Sequence, residues 1–327
     1  MIIYLCAAAL VATAAALVAL ARCYNRAFPE AAAIGDSMER IDGDYCFRGG
    51  SETGFIIFAG AKADERAYAY VAKLLYGAGH TVVIPKVLFH MSNFGTRRGL
   101  GAMKKNPQVK EWVLVGHSLG GWPVSRIAAR MTKHAAARPS VRPGGTTWPE
   151  GWQAKHAAAR QSDGSGRTTW PEDRPAKHAA ARQVRSRRLV GRMGKVAGVV
   201  LLASFASVDL SGLDIPVLRI TVENDRILKM YATVVYALAH PLAFVAAPFS
   251  RKASVGDGRK LTTDRFMDSF AGNLPPGTVQ ILLKGANHTH FGAYTSYARD
   301  AEASVTWQGQ QEETVGLILR TVLSNCT

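Results

Sequence analysis

VLVGHSLGGW occupies residues 113–122. An apolar run leads into Gly116, a single hydroxyl follows at Ser118, and Gly120 and Gly121 close the stretch. A Gly-x-Ser-x-Gly pattern between an apolar run and a helical one is what a sharp strand-to-helix turn demands. Such a turn strains the serine backbone and draws neighbouring chain close, so the residues two before and two after it must lack bulk. The hydroxyl is thereby lifted out of the sheet edge instead of being buried. A serine N-cap on an ordinary helix is the competing explanation, and the surroundings disfavour it.

Outward from this turn, apolar runs alternate with helical spacing. GFIIFAG (54–60), HTVVIP (80–85) and EWVLVG (111–116) predict buried strands, and LGGWPVSRIAARM (119–131) predicts the helix after Ser118. Between the first two strands, DERAYAYVAKLLYGAG (64–79) places Ala67, Val71, Leu74 and Leu75 at helical spacing, with Asp64 as a cap and Gly77 and Gly79 as stops. Pro123 falls in the first turns of the later helix and predicts a shortened or bent element. Beyond Lys195 the pattern resumes with VAGVVLLAS (196–204), IPVLRITVEND (215–225), TVQILLKGANHTHFG (278–292) and a final helix over QQEETVGLILRTVL (310–323). Uniformly apolar strands separated by helices imply βαβ units in a mostly parallel sheet covered on both faces, so the fold class is α/β.

Serine alone is a weak nucleophile and needs a base that titrates near neutrality, itself oriented by a carboxylate. His288 follows the last apolar strand and Asp225 the one before it, at the carboxyl ends where open parallel sheets place their sites. His290 is the rival base, and Glu223 or Asp209 the rival acid. Two N–H groups must face the developing oxyanion. Leu119 supplies one, and the turn after the first strand the other, with Ala61 the choice and Lys62 the alternative. His117 reads as packing beside the serine, and His117, Lys62 and Phe291 are the expected substrate-side neighbours. His80, His134, His156 and His178 read as solvated.

GFIIFAGAKADERAYAYVAKLLYGAGHTVVIPK, VLVGHSLGGW, IPVLRITVENDRI and GANHTHFGAYTSY together resemble the alpha/beta hydrolase fold-5 family, relatives of dienelactone hydrolases that are often membrane-anchored in bacteria. The resemblance spans most of 54–324, apart from a repetitive segment over 133–188 and part of the interval between Asp225 and His288. It implies an alpha/beta-hydrolase fold, Ser118 as nucleophile, Asp225 as acid and His288 as base, without a cofactor or metal. Its implied chemistry is cleavage of carboxylic esters or thioesters with a small-molecule ester or acyl substrate. This chain has Ala61 where the family usually has a second glycine, a change that fits if Ala61 keeps φ negative. MYATVVYALAHPLAFVAAPF (230–249) expands the interval between Asp225 and His288. It reads either as a lid or membrane-facing element or as an extended, kinked core helix.

Residues 1–21 carry no charged side chain and reach the length of a bilayer-crossing helix. A single-pass anchor over 1–24 is the expectation, against a signal peptide cleaved after Ala19-Leu20-Ala21. Arg22 and Arg26 would leave the main domain cytoplasmic by the positive-inside rule, too few charges to fix the side. An irregular linker is expected over 25–53, and the hydrolase domain over 54–132 and 189–327.

Between the two parts of that domain, KHAAAR recurs at 133, 155 and 177 and TTWPE at 146 and 168, a 22-residue period. Each unit has too little apolar content to bury a face against its neighbour, so 133–188 reads as a low-complexity, disordered insertion. Of the net charge of +16, the stretch 133–195 supplies +10, from 14 basic against 4 acidic side chains. The charge is therefore a property of the insertion, not a nucleic-acid signature of the whole chain. A catalytically silent domain tethered to anionic lipid or nucleic acid by Trp148, Trp152, Trp170 and these charges is the alternative reading. Cys6, Cys23, Cys46 and Cys326 lack any metal or framework spacing, and free thiols are expected over a Cys46–Cys326 bridge. GDGRK (256–260) lacks the length and strand context of a phosphate loop.

Overall fold

The computed structural model describes residues 22–136, 193–228, 272–295 and 300–323, with single residues 13, 18 and 270. Two compact units are distinguished, Met1–Thr132 with Arg192–Thr327, and Lys133–Gly191. The second lies outside the described residues after Ala136. The first holds the sheet and its helices.

Eight strands among the described residues make one sheet: β1 (Glu39–Ile41), β2 (Asp44–Phe47), β3 (Thr53–Phe58), β4 (Thr81–Ile84), β5 (Glu111–His117), β6 (Lys195–Leu202), β7 (Val217–Asn224) and β8 (Val279–Asn287). Their order is β1-β2-β4-β3-β5-β6-β7-β8. β1 and β2 pair antiparallel, as do β2 and β4, and every pairing from β4 to β8 is parallel. The helices are α1 (Pro29–Asp36), α2 (Ala69–Gly77), α3 (Thr96–Lys105), α4 (Gly121–Ala136) and α5 (Trp307–Ile318).

The central strands are apolar on both faces because both are covered. Phe55, Ile57, Val113 and Val115 join Val71 and Leu75 of α2 and Val315 and Ile318 of α5 in one buried cluster. The alternate residues of β3 point the other way. There the Phe58 ring lies so close to Gly99 of α3 that a Cβ on that glycine would sit 2.6 Å from it, and Ile127 of α4 completes the contact at 2.7 Å. Each fully buried Phe, Ile or Leu contributes about 1.5–3 kcal/mol. At the far edge, Val279 and Leu282 of β8 stay exposed.

The segment 25–53, expected as an irregular linker, holds α1, β1 and β2. Its hairpin is written in the sequence as Asp42-Gly43: both residues have positive φ, 49° and 91°, with Ile41 paired to Asp44. Two consecutive positive-φ positions make the tight turn whose twist matches the strands. Arg98 of α3 secures it, donating to the Asp42 carbonyl at 2.8 Å and pairing with Asp44. α3 itself escapes the sequence pattern, since TRRGLGAMKK carries two glycines inside its span.

The shortening expected from Pro123 does not occur, because α4 starts at Gly121 and runs 16 residues. Pro123 falls in the first helical turn, where the missing N–H has no partner to lose. α4 also continues through Ala136, so the first residues of the first repeat are helical. Cys46 is a free buried thiol. The rest of the repeats, the stretch 230–249 and residues 1–21 apart from 13 and 18 lie outside the described residues. Among the described residues no helix is long and apolar enough to cross a membrane.

Candidate active site

Ser118 directly follows β5 and enters α4 through one 3-10 turn, Ser118–Gly120. Its φ is +51°, a backbone strain on the order of 1–3 kcal/mol for a residue with a Cβ. The surroundings enforce it: Ser204 donates its hydroxyl to the Ser118 carbonyl at 2.6 Å. Glycines on either side are required by contact. A Cβ at Gly116 would lie 2.5 Å from the Gly120 carbonyl oxygen, and one at Gly120 would lie 2.3 Å from that of Phe58.

Asp225 and His288 follow the adjacent parallel strands β7 and β8. His288 Nδ1 lies 3.1 and 3.0 Å from the two carboxylate oxygens of Asp225. Both side chains are buried, and Asp225 Oδ1 also accepts the Leu228 N–H at 2.7 Å. With Nδ1 directed at the carboxylate, Nε2 is the nitrogen left for a substrate-side proton. Gln310 of α5 fixes the preceding residue, donating to the Asn287 carbonyl at 2.9 Å and accepting its N–H at 3.2 Å. Asp300 holds the same corner by accepting the N–H groups of Arg226 and Thr289 at 3.2 and 2.9 Å. The rival acids are engaged elsewhere: Glu223 accepts the Gly285 N–H at 2.8 Å, and Asp209 accepts from Ser211. The carbonyl of His290 is held by Gln311 of α5 at 3.2 Å.

Three consecutive amides follow β3, and two are committed. The Gly60 N–H donates to the buried Tyr68 hydroxyl at 2.8 Å, and the Lys62 N–H donates to the His90 carbonyl at 2.7 Å. Between them the Ala61 amide, like that of Leu119, has no acceptor among the described residues. Lys62, not Ala61, takes the positive φ of this turn, +55°, so Ala61 keeps the negative φ that a Cβ prefers.

A cavity of about 330 Å³ brings Ser118, His288, Ala61 and Lys62 together. Its wall also includes Tyr294, Thr289 and Ile227, which the sequence does not single out. His117 and Phe291, expected as substrate neighbours, are not in that wall. Both are buried behind it, their rings 5.5 Å apart, and the His117 ring lies 4.7 Å from that of His288. His117 instead holds Tyr68 through Nδ1 at 2.6 Å, and Tyr68 holds the Gly60 amide. Tyr68 is legible in the sequence only as a helix-flanking aromatic, because nothing in its neighbours marks a buried hydroxyl.

Burial, and next the proximity of His288, hold the His117 imidazole well below its ordinary 6.5. Burial also lowers His290. A histidine with a depressed folded pKa binds its proton in the unfolded chain first, so its contribution is complete above the unfolded pKa and is lost as pH falls. Unfolding free energy should therefore decline below about pH 6.5, at up to roughly 1.4 kcal/mol per pH unit per histidine. Denaturant titrations between about pH 7 and pH 5 measure this, and His117→Phe should flatten the slope. An unchanged slope in that variant assigns the effect to other groups.

The turn after β3, the strained serine turn and the helix that follows it all fall within the first part of the sheet. Residues 54–138 match the pattern of the alpha/beta hydrolase family. The described residues form an alpha/beta hydrolase fold, with a mostly parallel sheet between helices. Among solved structures, a carboxylesterase from Lactobacillus plantarum is similar at 10% identity and a TM-score of 0.38, over 86% of this chain and 92% of its own. A monoacylglycerol lipase from Paleococcus ferrophilus is similar at 13% identity and 0.37, over 88% of this chain and 100% of its own. An esterase from Exiguobacterium antarcticum is similar at 11% identity and 0.37, over 88% and 98%. No curated protein matches the chain.

Proposed function

We propose that this alpha/beta hydrolase is a membrane-anchored serine hydrolase that cleaves carboxylic esters or thioesters with Ser118, His288 and Asp225. The observation that carries the reading is the buried His288–Asp225 pair, at 3.0 Å, with His288 lining the same cavity as the strained Ser118. Ser118 Oγ attacks the carbonyl carbon while His288 Nε2 takes its proton, and Asp225 holds the imidazolium. The N–H groups of Leu119 and Ala61 receive the oxyanion. Collapse breaks the bond to the alcohol or thiol, which leaves with the proton from His288. Water then attacks the acyl-Ser118 ester, His288 takes the water proton, and that proton returns to Ser118 as the acid departs. The uncharged run over 1–21 supports the anchor, and the basic repeats support an additional contact with anionic lipid.

A fluorophosphonate probe, which phosphonylates only an activated serine, tests the assignment. Wild type should label rapidly and Ser118→Ala not at all. Equal labelling of the two proteins removes Ser118 from the mechanism.

A further inference from the structure

The first continuously described residues after the apolar run form part of the cavity wall. Cys23 and Asn25 line it next to Ala61 and Lys62. Backbone bonds hold this segment on two sides. The Asn25 N–H donates to the Lys62 carbonyl at 2.6 Å, the Asp64 N–H donates to the Asn25 carbonyl at 2.9 Å, and the Phe28 N–H donates to the Ala293 carbonyl at 2.7 Å. Bridge pairings of Asn25 with Ala63 and of Ala27 with Tyr294 repeat the pattern. Tyr24 stacks on His90 at 4.0 Å, whose carbonyl fixes the Lys62 amide. Residues 23–28 thus join the turn that carries Ala61 to the loop that follows His288.

Chain length converts that placement into a distance. Ala21 ends the uncharged run and Cys23 is two residues further on. Two residues of extended chain span at most about 7 Å. A helix through 1–21 that crosses a bilayer therefore ends within about 7 Å of the cavity wall. The protein surface nearby suits that position. Leu88 and Phe94 are 60% and 53% exposed, and they flank His90 and Ser92, whose carbonyl and hydroxyl hold Lys62 and the Ala59 carbonyl respectively. Arg22 and Arg26 add positive charge beside anionic headgroups.

We propose that the cavity is held at the bilayer surface by residues 22–28 and takes lipid-borne acyl esters, whose ester carbonyls lie between the hydrocarbon core and the headgroups. The inference rests on the membrane-anchored hydrolase reading and narrows its substrate class. Esters dissolved in water gain nothing from this placement, whereas esters resident in the membrane are concentrated at the mouth.

The full chain, reconstituted in phosphatidylcholine vesicles, is assayed on a long-chain fluorogenic ester carried in the bilayer and on p-nitrophenyl acetate in solution. Inserting about 20 Gly/Ser residues between Ala21 and Arg22 adds a flexible tether with a reach of roughly 25 Å and leaves residues 22–28 intact. The vesicle-ester rate should fall about tenfold with the lengthened tether while the soluble-ester rate stays unchanged. Unchanged rates on both esters overturn the proposal, as does recovery of the wild type free of membranes with residues 1–21 removed. Absence of wild-type turnover on both esters sinks the hydrolase reading itself, a separate result. If the insertion variant does not fold, the pair Leu88→Ser and Phe94→Ser reads the same contrast: loss on the vesicle ester alone supports the proposal, and unchanged rates overturn it.

Discussion

Asp225→Asn is expected to lower kcat for ester hydrolysis by about four orders of magnitude, the scale seen when the equivalent carboxylate of a serine protease is amidated. The geometry dictates the sign. In the wild type both carboxylate oxygens face His288 Nδ1, and Oδ1 also accepts the Leu228 N–H. An asparagine can keep only one acceptor. Its oxygen stays with the buried Leu228 amide, because leaving that donor unpaired costs about 1–3 kcal/mol. Its NH2 group then faces Nδ1, and a donor there forces the imidazole proton to Nε2. Nε2 can no longer take the Ser118 proton. KM should change little, since Asp225 is not among the residues that line the cavity. Steady-state kinetics with a thermal melt for folding check the result. A folded variant whose kcat stays within tenfold of wild type removes Asp225 from the mechanism.

Much of the sheet is legible in the sequence because parallel strands buried on both faces must be apolar throughout. The runs at 54–60, 80–85, 111–116, 196–204 and 215–225 could not be surface elements, and β3 to β7 fall within or across them. The positions of Ser118, Asp225 and His288 are legible for a related reason: each is the first residue after a strand of the parallel sheet, so topology alone brings them to one edge. What escapes is local or non-periodic. β1 and β2 are three and four residues long, too short for a periodic signal, and only Asp42-Gly43 announces them. α3 is held by the close fit of Gly99 on Phe58, a contact that residue type alone cannot reveal. His117 and Phe291 are expected on the substrate side because they neighbour Ser118 and His288 in sequence. The pleat of β5 turns His117 inward, one residue before Ser118 turns out. Tyr68 and Asn25 escape notice because their roles are exercised by a hydroxyl and a backbone meeting chain far away in sequence.

Gly120→Ala is expected to lose about 3 kcal/mol or more of stability, the upper range for added core atoms, because what the methyl meets is backbone. Its Cβ would lie 2.3 Å from the Phe58 carbonyl oxygen and 3.0 Å from that of Ala59. Neither can rotate away as a side chain would. Both sit at the carboxyl end of β3, immediately before Gly60 and Ala61, so relief of the clash must move the turn that carries Ala61 into the cavity wall. Activity should fall even in whatever fraction remains folded, and the loss should exceed the change in folded population. Gly101→Ala supplies the control within α3. A Cβ there meets nothing within 4 Å, and alanine in place of glycine inside a helix should stabilise by about 0.5–1 kcal/mol with unchanged kcat. Denaturant midpoints and kcat for the two variants separate the effects. If Gly120→Ala unfolds no more readily than Gly101→Ala, then β3 and the serine turn do not approach each other as closely as these contacts require, and the amide of Ala61 cannot be where the oxyanion needs it.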